Sequence, residues 1–310
     1  MERETPEQIG KRIEALGLWD AVLPYNWAVK PSGVAFPYFC SAMKGSPQPV
    51  KMRLLMLEGW GTFHDYIRFG VDRNAGFYST PAEMPHYELV VLSDGGVMLF
   101  RHDPGYVPRT LSGDAERDLV ARILWESYGV MLRLESDREL PMKYAGERAM
   151  FARVESRDGK WSDAPLPIPD PRPVVEKVSF RKEDVAKAKD LPLDQSLAVE
   201  LDFRIMPNIV TRESRPRTAY QLTAVDAASG ARTMLERVSA GPDFGLKEMW
   251  ESMPPRVLAN FVKQGRVPGE VKVLTQRMFR LLRPLCLELP VRLSLHDSLP
   301  TLEKAFSAAP

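Results

Sequence analysis

Cysteine is scarce in this chain of 310 residues: there are two, Cys40 and Cys286. They lie too far apart in sequence to form a CxxC pair, and two cysteines cannot build a disulfide framework. Each sits among apolar neighbours (Tyr38-Phe39-Cys40, Leu285-Cys286-Leu287), the setting of a small buried thiol rather than a reactive one. Histidine is scarce too. His64, His86, His102 and His296 form no HxxxH or HxH pair, so zinc lacks a local ligand set and any metal site would have to be assembled from distant segments. No metal and no cofactor is expected. An excess of charge is also missing: 42 basic against 41 acidic residues leave a formal +1, which removes the usual electrostatic drive toward nucleic acid or an anionic membrane. No apolar run approaches the ~18 residues that span a bilayer. The first residues, Met1-Glu-Arg-Glu-Thr-Pro-Glu-Gln8, lack the apolar core of a signal peptide, so the expected address is the cytoplasm.

What is present reads as an α+β protein in two parts. Thr5, Pro6 and Gln8 make a capping box with proline in the first turn; Ile9, Ile13 and Leu16 share one face, and Gly17 stops the helix. Segments 34–42, 52–57 and 62–69 read as strands. Leu89–Leu92 and Val97–Phe100 flank Ser93-Asp-Gly-Gly96, a hairpin signal; no GxxxxGK[ST] pattern makes those glycines a phosphate loop. A long helix is expected over 113–132, capped by Ser112, and a strand over 148–154.

Between Pro165 and Pro173 there are five prolines in nine residues, which favours a stiff linker; a ligand for a proline-recognising groove is the alternative. The chain is therefore divided into an N-terminal domain over 1–162 (an antiparallel sheet with flanking helices), a linker over 163–173 and a C-terminal domain over 174–310. In the second part Leu197–Met206 alternates, with Leu201, Phe203 and Ile205 on one face and Glu200, Asp202 and Arg204 on the other, read as solvated. Segments 218–226 and 232–238 flank Ala227-Ala-Ser-Gly230 as a second hairpin. Then come a helix from about Pro255, strand 271–274, helix 277–288 with Pro284 predicted to kink or end it, strand 291–295 and a helix from about Thr301.

This βββαβαβα order resembles the ribonuclease-H-like fold, and Gly265-Arg-Val-Pro-Gly-Glu-Val-Lys-Val-Leu-Thr275 is similar to an integrase-type βα opening. The resemblance covers about residues 197–308. It implies carboxylates holding two metal ions ~4 Å apart, with Asp202 where the family's first aspartate belongs. Leu274-Thr275-Gln276 stands where a second acid belongs, and Glu303 is the remaining candidate. The expectation is an inactive or repurposed version of the fold. The stretches Pro37–Gly45, Leu99–Pro108, Gly265–Pro268 and Leu299–Leu302 also resemble an uncharacterised family of two-domain bacterial proteins of unknown function, which implies a cytosolic bacterial protein and no particular activity.

The densest polar stretch is Phe100–Arg109, where Arg101, His102, Asp103, Tyr106 and Arg109 are the candidate ligand-binding residues. Two readings compete: arginines that grip an anion bidentately, and a turn whose charges stabilise the loop itself. His102 and Asp103 lack a nearby serine or cysteine nucleophile, so no triad forms, and adjacent residues of an extended segment point to opposite sides. No catalytic residue is assigned. The function expected is a non-enzymatic binding or regulatory module for an unknown small ligand or protein partner. The alternative is a metal-dependent nucleic-acid-processing enzyme using Asp202 and Glu303.

Overall fold

A computed structural model describes residues 4–23, 25–45, 48–71, 83–144, 148–171, 177–210, 214–240 and 245–307. Its contacts sort into two compact units. The first gathers Met1–Ile67, Met84–Asp103 and Pro108–Arg172; the second gathers Arg68–Glu83, Pro104–Val107 and Pro173–Pro310. Helices and sheets are mixed in the α+β manner.

In the first unit, helix α1 (Pro6–Leu16) starts and stops where its local chemistry dictates. Gln8 N–H donates to Thr5 Oγ1 at 3.3 Å, Thr5 N–H donates to Gln8 Oε1 at 2.7 Å, and Gly17 at φ 63° ends the helix. A short helix α2 (Trp19–Val22) leads to strands β1 (Asn26–Lys30), β2 (Tyr38–Lys44) and β3 (Val50–Glu58). Leu54–Leu57 is apolar without alternation because both faces of the sheet are covered. Leu54 and Met56 pack with Ile9, Ile13 and the long helix described below, whereas Leu55 and Leu57 pack with Phe39 and Phe63.

The strand expected over 62–69 is instead helix α3 (Gly59–Val71). Trp60 and Phe63 recur at helical spacing, both against Phe39 at 4.4 and 4.5 Å between ring centroids, and Gly59 at φ 76° breaks the strand before it. The hairpin β4 (His86–Leu92) and β5 (Val97–His102) is longer than its apolar runs suggest. Strand β6 (Arg109–Thr110) follows, then helix α4 (Asp114–Ser136), the small helix α5 (Leu140–Tyr144), and strands β7 (Ala149–Glu155) and β8 (Trp161–Pro167). Gly113, not Ser112, is the N-cap of α4, and the Ser112 N–H donates to Glu116 instead. The sheet order is β6-β5-β4-β3-β2-β1-β7-β8. It is antiparallel except where β1 runs parallel to β7.

Strand β8 also revises the start of the expected linker. Trp161–Pro167 pairs along β7, with Phe151 opposite Pro165 and Ala149 opposite Pro167. Prolines two residues apart turn their missing N–H groups toward the same, unpaired side of an edge strand, where no ladder bond is lost. Residues 172 and 173 of the expected linker lie outside the described residues.

In the second unit, helix α6 (Lys182–Lys189) precedes a long strand β9 (Leu193–Val210), then β10 (Thr218–Asp226) and β11 (Arg232–Ser239). The helix expected near Pro255 is two helices, α7 (Leu246–Glu251) and α8 (Met253–Gln264). Strand β12 (Val267–Val273), helix α9 (Gln276–Glu288), strand β13 (Arg292–Leu295) and helix α10 (Pro300–Ser307) complete it. The sheet order is β11-β10-β9-β12-β13, antiparallel across the first three, with β12 and β13 added in parallel. Pro284 does not end α9, which runs on to Glu288 with Pro284 on its exposed side.

Candidate functional site

Three polar constellations stand out, one in the second unit and two in the first. On β9, Asp202 is fully buried and Glu200 is 6% exposed, which corrects the reading of this face as solvated. Alternation separates two faces of a strand without saying which is wet, and β9 is central, with further polar but buried neighbours in Gln221 and Thr223 of β10. Asp202 Oδ2 accepts from Leu274 N–H (2.7 Å) and Thr275 N–H (2.9 Å). Its Oδ1 accepts from Phe203 N–H (2.9 Å) and the Thr275 hydroxyl (3.1 Å). Thr275 in turn caps α9, its Oγ1 accepting from Met278 N–H at 3.1 Å. Glu200 Oε2 accepts from Leu302 N–H at 2.8 Å in the first turn of α10. The two acids of β9 thus serve the turn into one helix and the start of the next, where free N–H groups favour an anion. Burial pushes the Asp202 carboxyl up to about 6, against the pull of its hydrogen bonds. Glu303 is exposed on α10 and is not among Asp202's partners.

The Arg101–Arg109 stretch does not act as one group. Arg101 donates through Nη1 to Glu58 Oε2 at 2.5 Å and through Nε to Asp103 Oδ1 at 3.0 Å, and its guanidinium lies 4.7 Å from the Tyr87 ring centroid. Arg109 makes a two-pronged pair with Glu116, both bonds 2.8 Å, and stands 3.6 Å from Asp103. Both guanidinium groups therefore have internal carboxylate partners. Tyr106 belongs to the second unit, where it forms a β-bridge to Arg217 and lies under Arg215, 4.0 Å from its ring centroid. His102 points to the other side of the strand from Arg101 and Asp103.

There His102 meets His86 and Glu88. The register of β4 and β5 sets His86 directly opposite His102, and Glu88, two residues on, shares their face. Their exposures are 0, 3 and 7% for His86, Glu88 and His102. The two rings stack at 4.1 Å between centroids and 14° between planes. His86 Nδ1 contacts the Met84 carbonyl at 2.7 Å, and His102 Nε2 contacts Glu88 Oε2 at 2.7 Å. With a hydrogen on each of those nitrogens, His86 Nε2 and His102 Nδ1 carry lone pairs. Both atoms are buried, with no hydrogen-bond partner among the described residues. Arg53 Nη1 donates to Glu88 Oε1 at 3.2 Å. Burial tends to raise the Glu88 carboxyl, but His102 and Arg53 outweigh it and hold it below its ordinary value. Burial, helped by His102, pushes the His86 imidazole down to about 3, so its ring is neutral at neutral pH. Among the described residues these three are the cluster of histidine and acid side chains whose donor atoms approach within 4.8 Å of one another.

Residues 184–308 match the family model described as a domain of unknown function, DUF6930. The match begins within α6 and takes in both helices served by the β9 acids. No curated protein matches the chain, and no solved structure does. No helix among the described residues is long and apolar enough to cross a membrane.

Proposed function

We propose that the protein is a non-enzymatic, cytoplasmic binding or regulatory module for a small ligand or a protein partner, divided within the proline-rich stretch 163–173, after β8. Its second unit is a ribonuclease-H-like frame put to another use. The sheet order supports the frame: a three-strand meander is extended on its first strand by two parallel βα units. Two unpaired cysteines, one of them fully buried, fit a reducing compartment.

The observation that carries the non-catalytic reading is the carboxylate of Asp202. A metal pair for phosphoryl transfer needs several converging anionic oxygens with lone pairs to spare. Both oxygens of Asp202 are engaged by main-chain N–H groups and the Thr275 hydroxyl, Leu274 and Thr275 supply no acid, and Glu303 faces solvent. The residue fastens the β12–α9 turn. The test is direct: single- and double-stranded DNA and RNA, incubated with the protein at millimolar Mg²⁺ or Mn²⁺, should stay uncut, and calorimetry should show no tight Mg²⁺ site. Metal-dependent cleavage that disappears in Asp202→Asn would overturn the proposal in favour of a nucleic-acid-processing enzyme.

A further inference from the structure

We infer that His86, Glu88 and His102 form a binding site for a first-row transition-metal dication, Zn²⁺ being the best fit, which ties β4 to β5 inside the first unit. The donors are two imidazole nitrogens and one carboxylate oxygen, supplied from neighbouring positions on one face of a hairpin. A hairpin is a stiff platform, so the spacing of the three is set by the ladder rather than by a loop.

Four observations converge on an ion. The donors already approach within 4.8 Å of one another, whereas ligands about 2.0–2.1 Å from a tetrahedral zinc stand roughly 3.4 Å apart. Second, His86 is anchored as a ligand's ring is anchored elsewhere, through Nδ1 on the Met84 carbonyl, and His102 Nε2 and Glu88 Oε2 already stand 2.7 Å apart, so that an ion can take the place of the proton between them. Third, His86 Nε2, the ring nitrogen that its anchor leaves over, is buried and lacks any hydrogen-bond partner among the described residues. A buried polar atom without a partner is costly, and an ion bound at that nitrogen removes the cost. Fourth, the flanking charge is mixed rather than repulsive, because Arg53 engages Glu88 through Oε1 and leaves the contact at Oε2 to the His102 side.

Donor type decides the ion. Mg²⁺ and Ca²⁺ demand oxygen ligands, and the site offers one carboxylate beside two imidazoles. A nitrogen-rich, borderline set suits Zn²⁺, Co²⁺ or Ni²⁺. Residues no more than 7% exposed leave little room for a substrate, so the ion is structural. The site is separate from Asp202, and the outcome of the nuclease test above leaves it untouched.

The experiment is a competition titration of the full-length protein against a chromophoric zinc chelator, with Co²⁺ absorption as a second readout. One Zn²⁺ per chain is expected, undisturbed by a large excess of Mg²⁺. Co²⁺ should give the visible bands of a four- or five-coordinate site, and Zn²⁺ should raise the melting temperature. His86→Ala and His102→Ala should each weaken binding by about 100-fold and abolish the thermal shift, and Glu88→Gln by ~10–100-fold. His64→Ala and His296→Ala should bind as the wild type does. If an alanine variant fails to fold, the wild-type Co²⁺ spectrum and Glu88→Gln decide. Absence of Zn²⁺ binding to the wild type would overturn the inference, as would binding undiminished in folded His102→Ala or lost in His296→Ala. A Zn²⁺-independent melting temperature would also overturn it and assign the three residues to a polar network filled by water.

Discussion

Replacing Asp202 separates a fastening role from a catalytic one more sharply than an activity assay can. In Asp202→Ala the N–H groups of Leu274 and Thr275 and the Thr275 hydroxyl lose a buried carboxylate acceptor, and Phe203 N–H loses a fourth bond. A buried donor deprived of its partner costs about 1–3 kcal/mol, and removing one side of a buried charged network typically costs about 3–5 kcal/mol. For a unit of this size that corresponds to a fall in melting temperature on the order of 10–20 °C. Asp202→Asn is milder, by a specific geometry. The amide oxygen can face Leu274 and Thr275 while its NH₂ donates to the Thr275 hydroxyl, which leaves Phe203 N–H as the bond lost; the expected cost is ~1–2 kcal/mol. The two variants also differ from the wild type in pH dependence. The Asp202 carboxyl titrates at about 6, above its ordinary 3.8, because burial disfavours its charge. The folded state therefore binds a proton more readily than the unfolded chain between those values. This contribution is fully present below the ordinary value and is lost as pH rises through about 6. A rise of that size corresponds to about 3 kcal/mol. Subtracting the stability of Asp202→Asn from that of the wild type at each pH cancels the other carboxylates, and the difference should grow as pH falls from neutral toward the ordinary aspartate range. Denaturant unfolding monitored by tryptophan fluorescence measures it. A flat difference, or an Asp202→Ala variant as stable as the wild type, would refute the reasoning.

Three further outcomes rest on local geometry. Gly269 lies at an irregularity in the β9–β12 ladder, and an added Cβ would stand 2.9 Å from the Gln195 backbone and 3.1 Å from the Asp194 carbonyl, so Gly269→Ala should destabilise by about 2–3 kcal/mol in urea titrations. An unchanged midpoint would show that the two strands can spread. Burial pushes both the Cys40 and the Cys286 thiols up to about 12, so a disulfide reagent at mildly alkaline pH should titrate neither in the native protein within minutes and both after denaturation. Arg101→Ala should lower stability by ~2 kcal/mol, because it takes the guanidinium from Glu58, removes one partner of Asp103 and uncovers Tyr87, with sulfate binding no weaker than in the wild type. Full stability combined with weakened sulfate binding would return the 101–109 loop to the anion-gripping reading.

How much of the fold is legible in the sequence depends on whether the deciding contact is local. The α1 capping box, the Gly17 stop and the turns at Ser93–Gly96 and Ala227–Gly230 involve residues a few positions apart, and all stand where their chemistry places them. Helix α3 reads as a strand in the sequence because Phe63 and Ile67 are four apart, a spacing that satisfies a strand as well as a helix. The packing of Trp60 and Phe63 on Phe39 decides between them. The prolines at 165 and 167 carry a legible signal that composition alone obscures: their separation by two fits one edge of a strand. The burial of Asp202 is not legible, since it depends on which strands and helices surround β9 and not on β9 itself.

The His86–Glu88–His102 cluster occupies a middle ground. A search for local ligand spacing misses it, because 16 positions separate the two histidines along the chain. The hairpin brings them together by simple register. Val91 faces Val97 across the turn, and each step outward pairs the next residue on either side, so the fifth step sets His86 against His102. Glu88 faces Phe100, and the His102 ring reaches it diagonally, along the direction in which neighbouring side chains on one sheet face meet. A turn whose register is known therefore predicts side-chain partners several residues beyond the apolar run that reveals it. The polar residues at the open end of a hairpin can be read as pairs even when they share no motif.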